Sequence, residues 1–343
     1  MAIALESGIG MIEVGVYTAQ HYPIAAHRIV FMSSISPDKP ATSAQSAPIS
    51  LPRVRALFSR PGRVAESQFL RREISVRMFE RLSLIKTDPL AVLDAGCGEG
   101  DDLALLHQSF PRSLLLGLDA ASAMLATARS QALAALPFWQ RMAAKLSAPP
   151  GPGGAALACA DFARLPLAPA SFDLVWSNLA LHWHPQPDKV FAEWRRVLRV
   201  DGLLMFSCFG PDSFQQLRAA FAAAGEHHAV LPFVDLHDFG DMLVDAGFAT
   251  PVMDMEKLTI SYSSAEKLLA DVQAFGGNPL LTRRSSLIGR SRWQRIVQAL
   301  EAQRDADGKL NLTIEVIYGH AFRPVLRKTA SGEAIVRFDL PRR

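Results

Sequence analysis

Short apolar runs alternate with stretches of helical periodicity through the middle of the chain. AVLDAG (91–96), LLLGLD (114–119), ALACAD (156–161), FDLVWSN (172–178) and GLLMFSC (202–208) read as strands, with helices between them, one of these at 187–199. That alternation predicts a parallel sheet in a doubly wound α/β domain. Ahead of it, residues 54–86 place Phe69, Ile74, Met78, Leu82 and Ile85 at helical spacing, predicting an amphipathic helix packed over the cleft. Beyond residue 210 come helical stretches at 214–225 and 239–248, then strand-like runs at 255–262 and 313–322 that suit a closing antiparallel pair. Residues 263–304 read as helical and predict a cap over the active site, carrying Arg283, Arg284, Arg290, Arg292 and Arg295. The Pro and Gly cluster in 137–155 marks a loop insertion.

The expected architecture is therefore a seven-stranded, mostly parallel, Rossmann-like sheet with a helical cap. Its expected divisions are a disordered leader over 1–50, a core over 51–262, the cap over 263–311, a last strand over 312–324 and a polar tail over 325–343. The leader assignment rests on the Ser/Pro/Ala-rich run after Met32, which also suggests a mis-called start. A hydrophobic content of 49% with 20% charged residues is ordinary for a globular protein, and a net charge of +3 does not point to nucleic acid. No apolar run reaches a membrane-spanning length and the start lacks a secretory pattern. Cys97, Cys159 and Cys208 are odd in number and widely spaced, which fits a reducing, cytoplasmic setting better than a disulfide framework or zinc site.

The chemistry concentrates at strand ends. Asp94-Ala95-Gly96-Cys97-Gly98-Glu99-Gly100 follows a strand and opens a helix, so Gly96, Gly98 and Gly100 allow a sharp turn and close approach to a ligand. The G-x-G-x-G spacing differs from the dinucleotide G-x-G-x-x-G, and Asp94 can accept a hydrogen bond from an ammonium group. Asp119 ends the second strand where a carboxylate can grip both ribose hydroxyls, and Asp161 with Phe162 could receive an adenine amino group and its ring. Taken singly, each glycine also fits a plain tight turn and each aspartate a helix cap. Together at three strand ends they point to one adenosyl, amino-acid-bearing ligand.

VLDAGCGEG, GLD, ADFARLPLAPASFDLVWSNLALHW and RVLRVDGLLMFS together resemble the class I S-adenosylmethionine (SAM)-dependent methyltransferases over residues 90–210. SNLALHW, FSCFGPDSFQQLRAAF and LTIEVIYGHAF resemble more narrowly the BioC family, malonyl-acyl-carrier-protein O-methyltransferases of biotin synthesis, over roughly 54–323. The resemblance implies SAM as cofactor and the free carboxylate of a malonyl group on an acyl carrier protein as methyl acceptor. The complex I assembly factors associated with arginine hydroxylation are similar too, through FLRREISVRMFERL and LLTRRSSL, with Asp271 and Glu266 as acids for a guanidinium. A nicotinamide oxidoreductase fits less, because the glycine spacing is wrong and no hydride-transfer site is evident.

A carboxylate acceptor is ionised at neutral pH, so no general base and no catalytic triad are required. The expected pocket residues are Asn178 after the fourth strand, Trp183, Tyr318, and Arg283 or Arg284 as partners for the malonyl carboxylate or the acidic carrier protein. Each also has a plainer reading, as a packed aromatic or a solvated cation. His182 and His184 read as surface or helix-start residues, and with Asp188 and Glu193 they match no metal motif. The region before the first strand lacks the tyrosine common in the BioC family, leaving Phe58 or Phe69 to cover the cofactor.

Overall fold

The computed structural model describes residues 11–12, 29–30, 48–138, 141, 151–226, 230–282 and 289–325. Seven strands form one sheet: β1 (Ala91–Ala95), β2 (Leu114–Asp119), β3 (Ala156–Cys159), β4 (Phe172–Ser177), β5 (Leu198–Phe209), β6 (Ala249–Tyr262) and β7 (Leu310–Phe322). Their order is β3-β2-β1-β4-β5-β7-β6. The first five run parallel, while β7 pairs antiparallel with both β5 and β6. The chain moves outward from β1 to β3 and then returns to the other side of β1, so the order reverses between β1 and β4. A cleft opens at such a reversal, beyond the carboxyl ends of the strands.

Residue alternation explains why both faces are covered. Val92 and Leu93, adjacent in β1, enter opposite cores, as do Leu203 and Leu204 in β5. One core joins the sheet to α2 (Gln68–Ser83) and α3 (Asp101–Ser109) through Leu70, Ile74, Met78, Leu82, Leu103 and Leu106. The other joins it to α5 (Pro187–Val197) and α7 (Leu236–Asp245), where Phe191, Trp194 and Phe239 are almost wholly buried. Each such side chain contributes roughly 1.5–3 kcal/mol of apolar burial. Between these lie α4 (Ser122–Ala135) and α6 (Gln215–Ala223).

The expected single helix over 54–86 is broken. The chain forms α1 (Leu51–Phe58), a short helical turn at Pro61–Val64, a 3₁₀ turn at Ala65–Ser67, and then α2. Pro61 supplies no N–H and disfavours helical backbone at Arg60, whose φ is −123° and ψ 77°. The buried stripe of α2 begins at Leu70, and Phe69 lies half exposed on the other side. The leader boundary also shifts. Ile49 is buried and bridges Leu280, Ser50 donates its N–H to the Pro279 carbonyl at 3.1 Å, and Leu281 donates to Pro48 at 2.8 Å, so residues 48–50 are pinned rather than disordered. Of the rest of the leader, Met11–Ile12 pairs antiparallel with Ile29–Val30. The helical region before β7 contains α8 (Ala265–Ala274) and α9 (Arg290–Glu301). The remaining leader positions, most of the 137–155 insertion and the tail from 326 lie outside the described residues. No helix among the described residues is long and apolar enough to cross a membrane.

Candidate functional site

A cavity of about 140 Å³ lies at the reversal point, walled on one side by the ends of β1, β2 and β4 and on the other by residues 54–71. The turn after β1 is held by two N–H groups, of Gly96 and Cys97, donating to the Leu118 carbonyl at 2.7 and 3.0 Å. Gly96 has φ +89°, and a Cβ there would sit 2.3 Å from the Ala180 Cβ. The close approach this glycine permits is therefore to the β4 turn. Gly98, at φ +54°, lines the cavity, and a Cβ there would meet no heavy atom within 4 Å. It is Gly98 that leaves room for a ligand. Gly100 ends the turn at the N-terminus of α3, packed on Pro152 at the end of the insertion, and does not line the cavity.

Asp94 and Asp119 both line the cavity, from the ends of β1 and β2. Asp119 accepts from the N–H groups of Gly98 (3.0 Å) and Ala121 (2.7 Å), which orients its carboxylate. Burial pushes its pKa up, against those two hydrogen bonds. Asp94 is 2% exposed and its Oδ2 has no hydrogen-bond partner. Burial, reinforced by the Asp102, Asp119 and Asp101 charges, drives the Asp94 carboxyl well above the usual range. A buried acceptor without a donor is costly unless a ligand supplies one, and a cationic donor would serve this acid best.

Sequence reasoning missed much of this wall. Asp102, buried on α3, accepts from the Trp176 indole N–H at 2.7 Å, and burial raises its pKa. Glu99 and Asp101 also line the cavity, and Arg71 of α2 lies across from them. Burial lowers the Arg71 pKa while Asp101, Glu99 and Asp102 oppose that shift. The pair Asp101-Asp102 directly after the glycine turn was the available signal; Arg71 had none, because its role depends on how α2 folds back.

Asn178 is in the wall and fully engaged: its Nδ2 donates to the Arg71 carbonyl at 3.1 Å and its Oδ1 accepts from the Ser207 hydroxyl at 2.9 Å. Trp183 lines the cavity and meets Phe58 edge-on at 5.4 Å between ring centroids. Phe58 covers the cavity from α1, whereas Phe69 does not reach it. From α8 and its C-terminal cap come Ala274 and Phe275. Phe162 is in the wall, tilted against His184 and Trp194. Asp161 stands outside the lining; its carboxylate accepts from Ala163 N–H at 3.0 Å and pairs with Arg55 at 3.3 Å.

Three expectations change. Tyr318 does not reach the cleft: it is buried in β7, donates to Glu256 and lies beneath the Arg81 guanidinium, 3.8 Å from the ring centroid. The strand register turns this side chain toward β6 and α2. His182 and His184 are buried rather than on the surface. His182 sits in the 3₁₀ turn Leu181–Trp183 among Trp183, Phe209 and Phe233 with no partner for either ring nitrogen, and burial pushes its pKa down to about 3. Asp271 is engaged by Lys267 at 2.8 Å, so it is not an open acid awaiting a guanidinium. Glu193 is bound by Arg196 and the Leu165 N–H, away from the histidines. Arg283 and Arg284 lie outside the described residues.

The chain matches the family model described as a methyltransferase domain over residues 93–206. It is 44% identical to the malonyl-[acyl-carrier protein] O-methyltransferase of Laribacter hongkongensis, over 83% of this chain and 95% of that protein. It is 42% identical to the protein of that name from Gallionella capsiferriformans, over 83% of this chain and 94% of the relative. With the counterpart from a Methylovorus species it shares 43% identity over 80% of this chain and 90% of that one. Similarity of this level along nearly the whole length of each relative places the chain in the malonyl-[acyl-carrier protein] O-methyltransferase family.

Proposed function

We propose that the chain transfers the methyl group of SAM to the free carboxylate of a malonyl thioester carried on an acyl carrier protein. The observation that carries the reading is the cavity's acidic wall at the ends of β1 and β2, where Asp94 keeps a buried oxygen without a donor. Such a wall suits a ligand with an ammonium and two ribose hydroxyls. In this reading Asp94 faces the ammonium, Asp119 takes the hydroxyls, Gly98 gives the backbone access and Phe162 covers the adenine. Asp161 stands at the rim, where exchange of its Arg55 partner would free it for the adenine amino group.

SAM supplies an electrophilic methyl group on a sulfonium. A malonyl carboxylate is ionised at neutral pH, so an oxygen lone pair forms the new bond to carbon as the carbon–sulfur bond breaks, and no proton moves. The wall is consistent with chemistry that needs no base. His182, the imidazole nearest this role, is held neutral with its pKa near 3 and is too weak a base for deprotonation at neutral pH. What remains for the protein is alignment and exclusion of water, which Trp183, Phe58, Phe209 and Phe275 would provide. Names of the relatives supply the acceptor, and the test is direct. Malonyl-acyl-carrier protein incubated with the chain and SAM should gain the mass of one methyl group, and only when SAM is present. A chain that binds SAM and leaves the carrier's mass unchanged would refute the acceptor.

A further inference from the structure

The cavity wall made by residues 51–72 has two sides of different chemistry. Inward it presents Val54, Phe58, Val64 and Leu70 to the cavity. Outward, Arg53, Arg60, Arg63 and Arg72 are exposed. From residue 48 to residue 65 the sequence contains no acid, while it contains Arg53, Arg55, Arg60 and Arg63. Arg60 and Arg63 form no ion pair among the described residues. The other charges nearby are more engaged: Arg53 donates to the Leu280 carbonyl, Arg55 pairs with Asp161, Arg72 lies 3.7 Å from Asp101, and Glu66 faces Lys267 at 3.5 Å.

We propose that this outer arginine face, centred on Arg60 and Arg63, is where the acidic acyl carrier protein docks. The inference rests on the substrate reading above and adds its place of attachment. A malonyl group reaches the cavity on a flexible thioester arm, so its carrier must settle near an edge of the cavity. Here one thin layer of helical turns separates the cavity from solvent, and that layer is cationic on its outer side. Charge complementarity of this kind steers encounter and sets register, and it weakens with salt. The placement differs from the cap arginines Arg283 and Arg284 singled out in the sequence.

The test compares two acceptors with SAM and the full chain: malonyl-acyl-carrier protein, and S-malonyl-N-acetylcysteamine, which offers the same thioester with neither protein nor phosphate. Arg60→Glu combined with Arg63→Glu should raise KM for the carrier protein roughly tenfold or more, within the range that electrostatic steering commands. Turnover of the small thioester and affinity for SAM should stay within about twofold. Should a thermal melt show the double Glu variant unfolded, Arg60→Gln with Arg63→Gln carries the test, with a smaller rise in the same constant. An unchanged KM for the carrier overturns the docking surface, and so does an equal rise for both acceptors, which would mean that the wall itself had been disturbed. Failure of the wild-type chain to methylate either acceptor removes the substrate reading and the docking surface together.

Discussion

The two walls of the cavity are built by different means. The wall at the ends of β1, β2 and β4 uses backbone turns and short acids fixed by strand register: the Gly96 and Cys97 N–H groups on Leu118, and the Gly98 and Ala121 N–H groups on Asp119. The opposite side uses long side chains from separate segments, Phe58 and Arg71 from residues 54–71, Trp183 from the 3₁₀ turn after β4 and Phe275 from the C-terminal cap of α8, with Trp183 edge-on to Phe58 and the segment clasped through Ile49 and Leu280. The first arrangement stores unfavourable charge burial in Asp94, Asp102 and Asp119. Its hydrogen bonds join adjacent strand ends, and Asn178 and Asp101 tie it to Arg71 and Gln68 of the other wall. The lesson is that one wall is specified by short sequence motifs and the other by tertiary folding.

Two neighbouring glycines give the sharpest way to break that wall. Gly96→Ala forces a Cβ to within 2.3 Å of Ala180 at a φ of +89°, so about 3 kcal/mol or more of stability should be lost, from backbone strain and overpacking together. Gly98→Ala meets open cavity, so its melting temperature should fall only by the equivalent of about 1–2 kcal/mol. Its added methyl group occupies ligand space, and SAM affinity should drop far more than stability does. Calorimetric melts alongside SAM titrations check the pair; equal stability losses would show that the turn is not rigid in the way described.

Next in size is Asp119. Removing its side chain altogether would strip the Gly98 and Ala121 N–H groups of their acceptor, with an expected cost of about 1–3 kcal/mol, so Asp119→Ala confounds binding with folding. Asp119→Asn keeps one acceptor oxygen and removes the charge. The two N–H groups sit on different oxygens, so Asn leaves one of them facing an amide NH2 and should cost about 1 kcal/mol of stability. If the carboxylate grips two ribose hydroxyls, SAM affinity should fall by more, about 2–3 kcal/mol. Retention of wild-type affinity would leave this carboxylate as a turn-holding group alone.

These differences match what the sequence made legible. Strand-to-turn motifs carry much of their own geometry: Asp94, Gly98, Asp119, Phe162 and Asn178 lie on the cavity, while Gly100 and Asp161 of the same motifs stand off it. The antiparallel closing pair was foreseen, although β6 begins at Ala249 rather than near 255, because its half-exposed residues lack a dense apolar run. The other wall was harder. The break at Pro61 re-aims the segment, so Phe58 rather than Phe69 covers the cavity, and Arg71 is carried inside by a fold-back that no local pattern records. Tyr318 was misplaced because alternation along a strand says that a residue faces one side, without saying which layer waits there. His182 was misread because polarity suggested a surface, whereas aromatic rings from β5, the 3₁₀ turn and residue 233 enclose it.

The smallest effect sharpens the contrast between an acid-burying wall and an aromatic one. His182 titrates at about 3 in the fold against an ordinary 6.5, through burial alone. Its folded pKa is depressed, so the native state favours the neutral ring. The associated stability is fully present above about pH 6.5 and is lost progressively as pH falls toward 3, with a slope of up to about 1.4 kcal/mol per pH unit. Asp94 and Asp119 work in the opposite sense. Their folded pKa values are raised, so the stability they contribute is complete below about 3.8 and declines as pH rises through their folded values. The acid limb of the wild-type chain is thus a contest between the two walls. His182→Phe removes one contestant, and urea titrations at pH 7, 6, 5 and 4 should show the variant losing less stability per unit than the wild type, whatever its stability at neutral pH. Parallel limbs would mean that the ring finds a proton partner in the folded chain and that the aromatic wall is not closed around it.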